Sequence, residues 1–211
     1  MKYKYILFDW DGTLAKTLDV WFVCIQKHLN TRNITVTDDQ LVKGFGDWEF
    51  GIKVGVKDND VFIKELVEEV NEKLKSVELY NNVIEIISNI RIFDIKTAIV
   101  TSSVKSSILP ALEKYNLVSK FDVILTGEDV EKHKPNPEML FKAMEMVGAK
   151  KEDVLIVGDG PKDIDAGKNA GITTVNFYPE DNKKFYSESD ITSYNADFVI
   201  HDLLDILDII K

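Results

Sequence analysis

Tyr5-Ile6-Leu7-Phe8-Asp9-Trp10-Asp11-Gly12-Thr13-Leu14 joins four apolar residues to two carboxylates and a glycine. An apolar run of that length reads as a buried strand, and the acidic pair falls where the strand ends and the backbone turns. Carboxylates two residues apart repel each other and lose hydration near a core, so they persist there when a cation, a hydrogen-bond network or a reaction uses them. Alternation along extended backbone puts Asp9 and Asp11 on one side, and Gly12 leaves a backbone N–H open to an anion. A solvated turn would also explain an isolated Asp-x-Asp. A calcium loop fits poorly, because Gly12 comes too early and Val20 stands where the bidentate Glu belongs.

The rest of the chain supplies the context. Short apolar runs recur at Tyr5–Phe8, Lys96–Val100, Val123–Leu125, Val154–Val157, Thr173–Phe177 and Asp197–Ile200, separated by helical stripes such as Val83/Ile86/Ile87/Ile90 and Leu140/Phe141/Met144/Val147. This alternation predicts an α/β protein, a Rossmann-like doubly wound and mostly parallel sheet. A βαβ unit takes about thirty residues, yet about three times that separates the first two strands, so about sixty residues are extra. They run from Ala15 to Asn81, hold no convincing strand, and offer helix starts at Thr37-Asp38-Asp39-Gln40 and Lys57-Asp58-Asn59-Asp60. The expectation is a core of residues 1–14 and 82–211 with a small α-helical domain, residues 15–81, inserted after the first strand.

The 211 residues, 45% of them hydrophobic, suffice for a real core. A formal net charge of −10 without a basic run argues against nucleic acid or an anionic membrane as the main partner. One cysteine, Cys24, excludes an internal disulfide and reads as packing inside a helical stripe. No leader-like or membrane-length apolar stretch is evident, so a cytoplasmic protein is the expectation.

In open parallel sheets ligands gather beyond the carboxyl ends of the strands. Ala98-Ile99-Val100 is followed by Thr101-Ser102-Ser103, hydroxyls at an expected helix start. Val154–Val157 is followed by Gly158-Asp159-Gly160-Pro161-Lys162-Asp163, a second acidic pair. Between them lies Lys132-His133-Lys134-Pro135-Asn136-Pro137-Glu138, with Asn136 read as an N-cap and Pro137 as the first helical residue. Each piece has an ordinary explanation in caps and turns. Together they supply what phosphoryl transfer needs: a nucleophile, an acid, a metal site and an anion cradle.

These four strand ends resemble the motifs of haloacid dehalogenase-superfamily hydrolases, in the branch with a helical cap inserted after the first strand. Asp9-Trp10-Asp11-Gly12-Thr13 matches the first motif, Thr101 the second, Lys134 the third, and Gly158-Asp159 through Asp163 the fourth. The resemblance implies that Asp9 is a nucleophile forming an aspartyl-phosphate and that Asp11 is the general acid and base. It further implies Mg²⁺ held by the Asp9 carboxylate, the Asp11 carbonyl and Asp159, with Asp163 orienting the metal's water ligands. Thr101, Ser102, Lys134 and the backbone near Gly12 would bind the phosphoryl oxygens. The implied substrate is a small phosphorylated metabolite, phosphoglycolate-like or a sugar phosphate.

Other readings stay open at this point. A sugar-phosphate mutase of the same family would carry a histidine where Trp21 stands, which favours a phosphatase. A non-catalytic scaffold should lack a motif residue, and none is missing. Phospho-accepting signalling domains distribute their aspartates over different strands. Thr17 and the pair Asn81-Asn82 depart from the family's usual linkers, yet are expected to cap and to turn. Specificity is assigned to Lys43, Phe45 and Trp48 in Lys43-Gly44-Phe45-Gly46-Asp47-Trp48; the same stretch also reads as a helix-to-helix turn with both aromatics packed inside. His28, His133 and His201 read as helix-surface or loop residues. Whether the protein is a monomer or a homodimer stays open.

Overall fold

The computed structural model describes residues 1–211. Strands β1 (Tyr5–Phe8), β2 (Lys96–Val100), β3 (Val123–Leu125), β4 (Val154–Gly158), β5 (Thr173–Phe177) and β6 (Phe198–Ile200) form one sheet in the order β3-β2-β1-β4-β5-β6. Every pairing is parallel. The chain winds one way through β1, β2 and β3 and the other way through β4, β5 and β6, so a switch point lies between β1 and β4.

Helices cover both faces. Ile6 and Phe8 of β1, with Leu155 and Val157 of β4, pack against α5 (Val83–Ile92), α6 (Lys105–Lys114) and α10 (Ile206–Ile209). Leu7 and Ile156 point the other way, onto α7 (Glu138–Val147) and α8 (Pro161–Ala170). The period of two along each strand divides the apolar residues between the two cores, which is why the runs are continuous. A short helix α9 (Glu188–Tyr194) precedes β6.

Between β1 and α5 the chain makes four helices and no strand: α1 (Leu18–Asn30), α2 (Asp38–Lys43), α3 (Phe50–Lys53) and α4 (Asn59–Leu74). Thr37 and Gln40 form a reciprocal capping box at the start of α2. Cys24, Ile25 and Leu29 of α1 meet Phe62, Leu66 and Val70 of α4 in a buried seam. The two connections to the sheet run side by side, with Lys16 N–H donating to the Glu78 carbonyl and Tyr80 N–H to the Leu14 carbonyl. Asn82 takes a left-handed conformation, φ 64°, and its amide donates to the Asp202 carboxylate.

Several local expectations shift. The helix after Lys134 begins one residue later, at Glu138, whose N–H is accepted by the Asn136 side chain. Thr17 precedes α1 without capping it, because its hydroxyl is turned to Asp11. β6 starts after Asp197, whose carboxylate accepts from the Thr174 N–H and hydroxyl. Phe141 is largely exposed on α7. His28 is half-buried, its ring bonded to Glu69 across the α1–α4 seam and edge-on to Phe62, so it is more than a surface residue.

Candidate active site

Register places the site. Phe8 pairs with Ile99 on one side and Val157 on the other, so the residues that follow β1, β2 and β4 emerge together at one edge of the sheet. Asp9, Thr101 and Asp159 occupy those positions and all three are buried. Beyond Asp9 the chain turns tightly, with the Trp10 carbonyl accepting from the N–H groups of Thr13, Leu14 and Ala15. Gly12 has φ +76°, and a Cβ there would lie 2.4 Å from Asp159 Oδ2. Only glycine meets both the left-handed backbone and the close approach of that carboxylate.

Lys134 is 6% exposed. Its Nζ donates to Asp9 Oδ1 at 2.6 Å, to Asp163 Oδ1 at 2.5 Å and to the Val100 carbonyl at 3.0 Å. Carboxylate oxygens of Asp9, Asp159 and Asp163 all lie within 4.8 Å of one another. Burial pushes the Asp9 carboxyl up to about 8, Asp163 adding to the rise and Lys134 opposing it. Burial also raises Asp159 well above the carboxylate range, helped by Asp163 and Asp9. Lys134 is raised in turn, since Asp163 and Asp9 together outweigh the burial that would lower it.

One ammonium thus faces three carboxylates, and Asp159 Oδ2 is buried without a hydrogen-bond partner. An orphaned carboxylate oxygen in an all-oxygen donor set under-supplied with positive charge fits a hard divalent cation. Asp163 belongs to this cluster directly. The Asp11 carboxylate does not.

The Asp11 side chain is held elsewhere, by donors from two segments, the start of α1 and the turn after β2. Oδ1 accepts from the Thr17 hydroxyl at 2.7 Å and from the Trp21 indole N–H at 2.8 Å. Oδ2 accepts from the Ser103 hydroxyl at 2.6 Å, with the Thr101 hydroxyl at 3.4 Å. Indole N–H only donates, whereas a hydroxyl rotates and also accepts. Trp21 therefore fixes Oδ1 as an acceptor, whereas the partners of Oδ2 are hydroxyls alone. Two carboxylates two residues apart are thereby given different environments, one paired with an ammonium among other carboxylates and one among neutral donors.

The helical insert covers this edge and encloses a cleft of about 140 Å³ bordered by Asp9, Asp11, Thr101, Ser102 and Lys134. Trp48 donates its indole N–H to the Ser102 carbonyl at 3.0 Å and stands edge-on to Trp21. Phe45 borders the cleft while packing on Phe185. Lys43 borders the cleft as well, but its ammonium pairs with Asp39 at 2.8 Å and is 71% exposed, which removes it from the inner surface. Four inward residues were not singled out from sequence: Thr17, Trp21, Ser103 and Lys162. Lys162 donates to the Phe45 carbonyl at 2.5 Å, and burial pulls its ammonium down to about 8, with Asp47 opposing. Ser103 follows two recognised residues and was within reach of the motif; Thr17 and Trp21 come from the inserted segment and nothing in their spacing announces Asp11.

Residues 6–177 match the sequence profile of haloacid dehalogenase-like hydrolases. The chain belongs to this family. Among its haloacid dehalogenase-like relatives, the pyrophosphatase PpaX of Halalkalibacterium halodurans is 32% identical, covering 100% of this chain and 98% of that protein. A Bacillus cereus pyrophosphatase PpaX is 31% identical over 100% and 98%. A Bacteroides fragilis structure assigned to the haloacid dehalogenase-like hydrolases superposes with a TM-score of 0.85 at 27% identity, covering 97% of this chain and 100% of that one. A hydrolase from Pseudomonas syringae, TM-score 0.84 at 20% identity over 97% and 96%, shows the fold alone.

Proposed function

We propose that this hydrolase is a Mg²⁺-dependent phosphatase that cleaves a small phosphorylated metabolite through an aspartyl-phosphate on Asp9. The observation that carries the reading is the division of labour between Asp9 and Asp11: one carboxylate is bound to Lys134 beside the acidic cluster, the other is clamped by neutral donors. Pairs of titratable groups pushed into different environments mark acid and nucleophile assignments.

A cation held by Asp9, Asp159, Asp163 and the Asp11 carbonyl would supply charge neutralisation for the phosphoryl oxygens. The chain's own groups do the rest. An Asp9 oxygen attacks phosphorus as the bond to the leaving oxygen breaks, and Asp11, as the acid, passes a proton to that oxygen. Water then attacks phosphorus, Asp11 takes its proton, and the Asp9–phosphorus bond breaks to release phosphate. Lys134, Thr101, Ser102 and the Gly12 N–H stabilise the charge that gathers on the phosphoryl oxygens. Residues 15–81 act as a cap over the core formed by 1–14 and 82–211, excluding water from this chemistry. Trp21, in place of an ionisable side chain, supports hydrolysis over transfer to a second substrate. No helix is long and apolar enough to cross a membrane.

The test is phosphate release from a panel of phosphoglycolate, sugar phosphates and pyrophosphate, the last included because the full-length relatives are named pyrophosphatases. Release is expected with Mg²⁺, abolished by EDTA and by Asp9→Asn. Turnover that survives Asp9→Asn in a clean preparation refutes the nucleophile assignment.

A further inference from the structure

Lys162 is the second residue of α8 and borders the cleft together with Asp9, Asp11 and Lys134. Its ammonium makes a single hydrogen bond, to the Phe45 carbonyl of the inserted segment, which leaves two of its three N–H donors without a protein partner. The charges around it are already matched. Asp47 pairs with Lys53 at 2.8 Å and Asp163 with Lys134 at 2.5 Å; both support the Lys162 charge from a distance, but neither forms an ion pair with it. Lys43, the other lysine at this cleft, has its own carboxylate in Asp39. A half-buried cation with no counter-ion is disfavoured by its own desolvation and is retained where a ligand brings the opposite charge.

The walls restrict what that ligand is. Leu18, Ile25, Val42, Phe45 and Trp48 present mostly apolar surface to a cleft of about 140 Å³. Polar groups at its border, Asp47, Ser102 and Tyr194 among them, can meet a hydroxyl, but Lys162 is the lysine there without an ion pair and so the one that offers its charge to a compact anion. Lys134 and the backbone donors near Gly12 serve the transferred phosphate, so the charge on Lys162 is surplus to that group.

We infer that Lys162 is a specificity residue that binds a second anionic group of the substrate, a carboxylate or a second phosphoryl group carried close to the phosphate being removed. The inference rests on the phosphatase reading and adds the substrate class to it. The Phe45 carbonyl holds the ammonium in place before the substrate arrives, and links recognition to the seating of the inserted helices on the sheet.

The experiment compares Lys162→Met and Lys162→Arg with the unaltered protein on pyrophosphate, phosphoglycolate and p-nitrophenyl phosphate, whose tail is uncharged. For Lys162→Met, kcat/KM on an anionic-tailed substrate falls by about ten- to a hundredfold more than on p-nitrophenyl phosphate, the range expected for a lost charge-assisted hydrogen bond. Lys162→Arg recovers part of that selectivity. Whichever of pyrophosphate and phosphoglycolate loses more identifies the second group as phosphoryl or carboxylate. Equal falls on charged and uncharged tails overturn the assignment.

Calorimetric binding to the Asp9→Asn protein separates this inference from the question of turnover. Lys162→Met in that background is expected to weaken pyrophosphate or phosphoglycolate binding about tenfold more than orthophosphate binding. Equal weakening, or no binding of either tailed anion, overturns the role of Lys162. Selective binding by a protein that hydrolyses no phosphate compound refutes the phosphatase reading and leaves that role standing.

Discussion

At the scale of single residues, the site is built from what surrounds two aspartates. Asp9 was legible in the sequence because a carboxylate at the end of an apolar run is conspicuous, and Lys134 and Asp159 because each ends or follows a strand-helix junction. The clamp on Asp11 was not, since it is assembled from Thr17, Trp21 and Ser103, residues whose ordinary readings are helix cap, core aromatic and turn. Trp21 gives the sharpest test. Trp21→Phe keeps an aromatic ring and removes the donor, so Oδ1 loses its donor-only partner and the Asp11 carboxylate one of the bonds that orient it. The expected result is a fall in kcat of about tenfold on alkyl phosphates, with KM little moved, and a smaller fall on p-nitrophenyl phosphate, whose leaving group needs little protonation. Equal falls on both substrates would show that Trp21 does not act through Asp11.

At the scale of elements, the period of each segment decided how much was readable. The central strands β1, β2 and β4 announced themselves because both faces of the sheet are buried there and their apolar runs are nearly continuous, whereas Phe198 and Val199 of the edge strand β6 are exposed. The strand order and the flanking register were not readable, because nothing local to β1 specifies β2 and β4 as its neighbours. In the insert, the capping box at Thr37 was plain from spacing, whereas the α1–α4 seam hides a polar contact within an apolar stripe. Glu69 of α4 accepts from Lys27 and meets the His28 ring, both on α1, and it also pairs with Lys73. The hydrogen bond from Lys27 is the largest reason its carboxyl drops from 4.5 to about 2, burial opposing and Lys73 assisting. A carboxyl depressed on folding contributes stability that is present above its unfolded value and is lost as pH falls through the folded one. The seam should therefore weaken as pH falls from 4.5 towards about 2. Thermal midpoints measured across that window should fall less steeply for Glu69→Gln than for the unaltered protein; parallel slopes would remove Glu69 from the account.

At the scale of the whole molecule, the sheet edge concentrates more negative charge than the fold can neutralise. Of three buried carboxylates two pair with the one ammonium, and the helical insert is anchored over them by Trp48 on the Ser102 carbonyl. A cation that binds only the folded chain adds stability by mass action, about 2.7 kcal/mol at a hundred times its dissociation constant. For a chain of this size that corresponds to a rise in Tm of about 5–10 °C. Mg²⁺ is expected to produce the rise and EDTA to reverse it, in an experiment that needs no substrate. Asp159→Asn makes the argument specific. Replacing a buried carboxylate, one of whose oxygens has no partner, by a neutral amide relieves repulsion from Asp163 and Asp9, so the metal-free variant should melt no lower than the metal-free parent, yet gain little from Mg²⁺. A variant that melts lower and still responds fully to Mg²⁺ would mean that Asp159 supports the fold and that the ion, if bound, sits elsewhere.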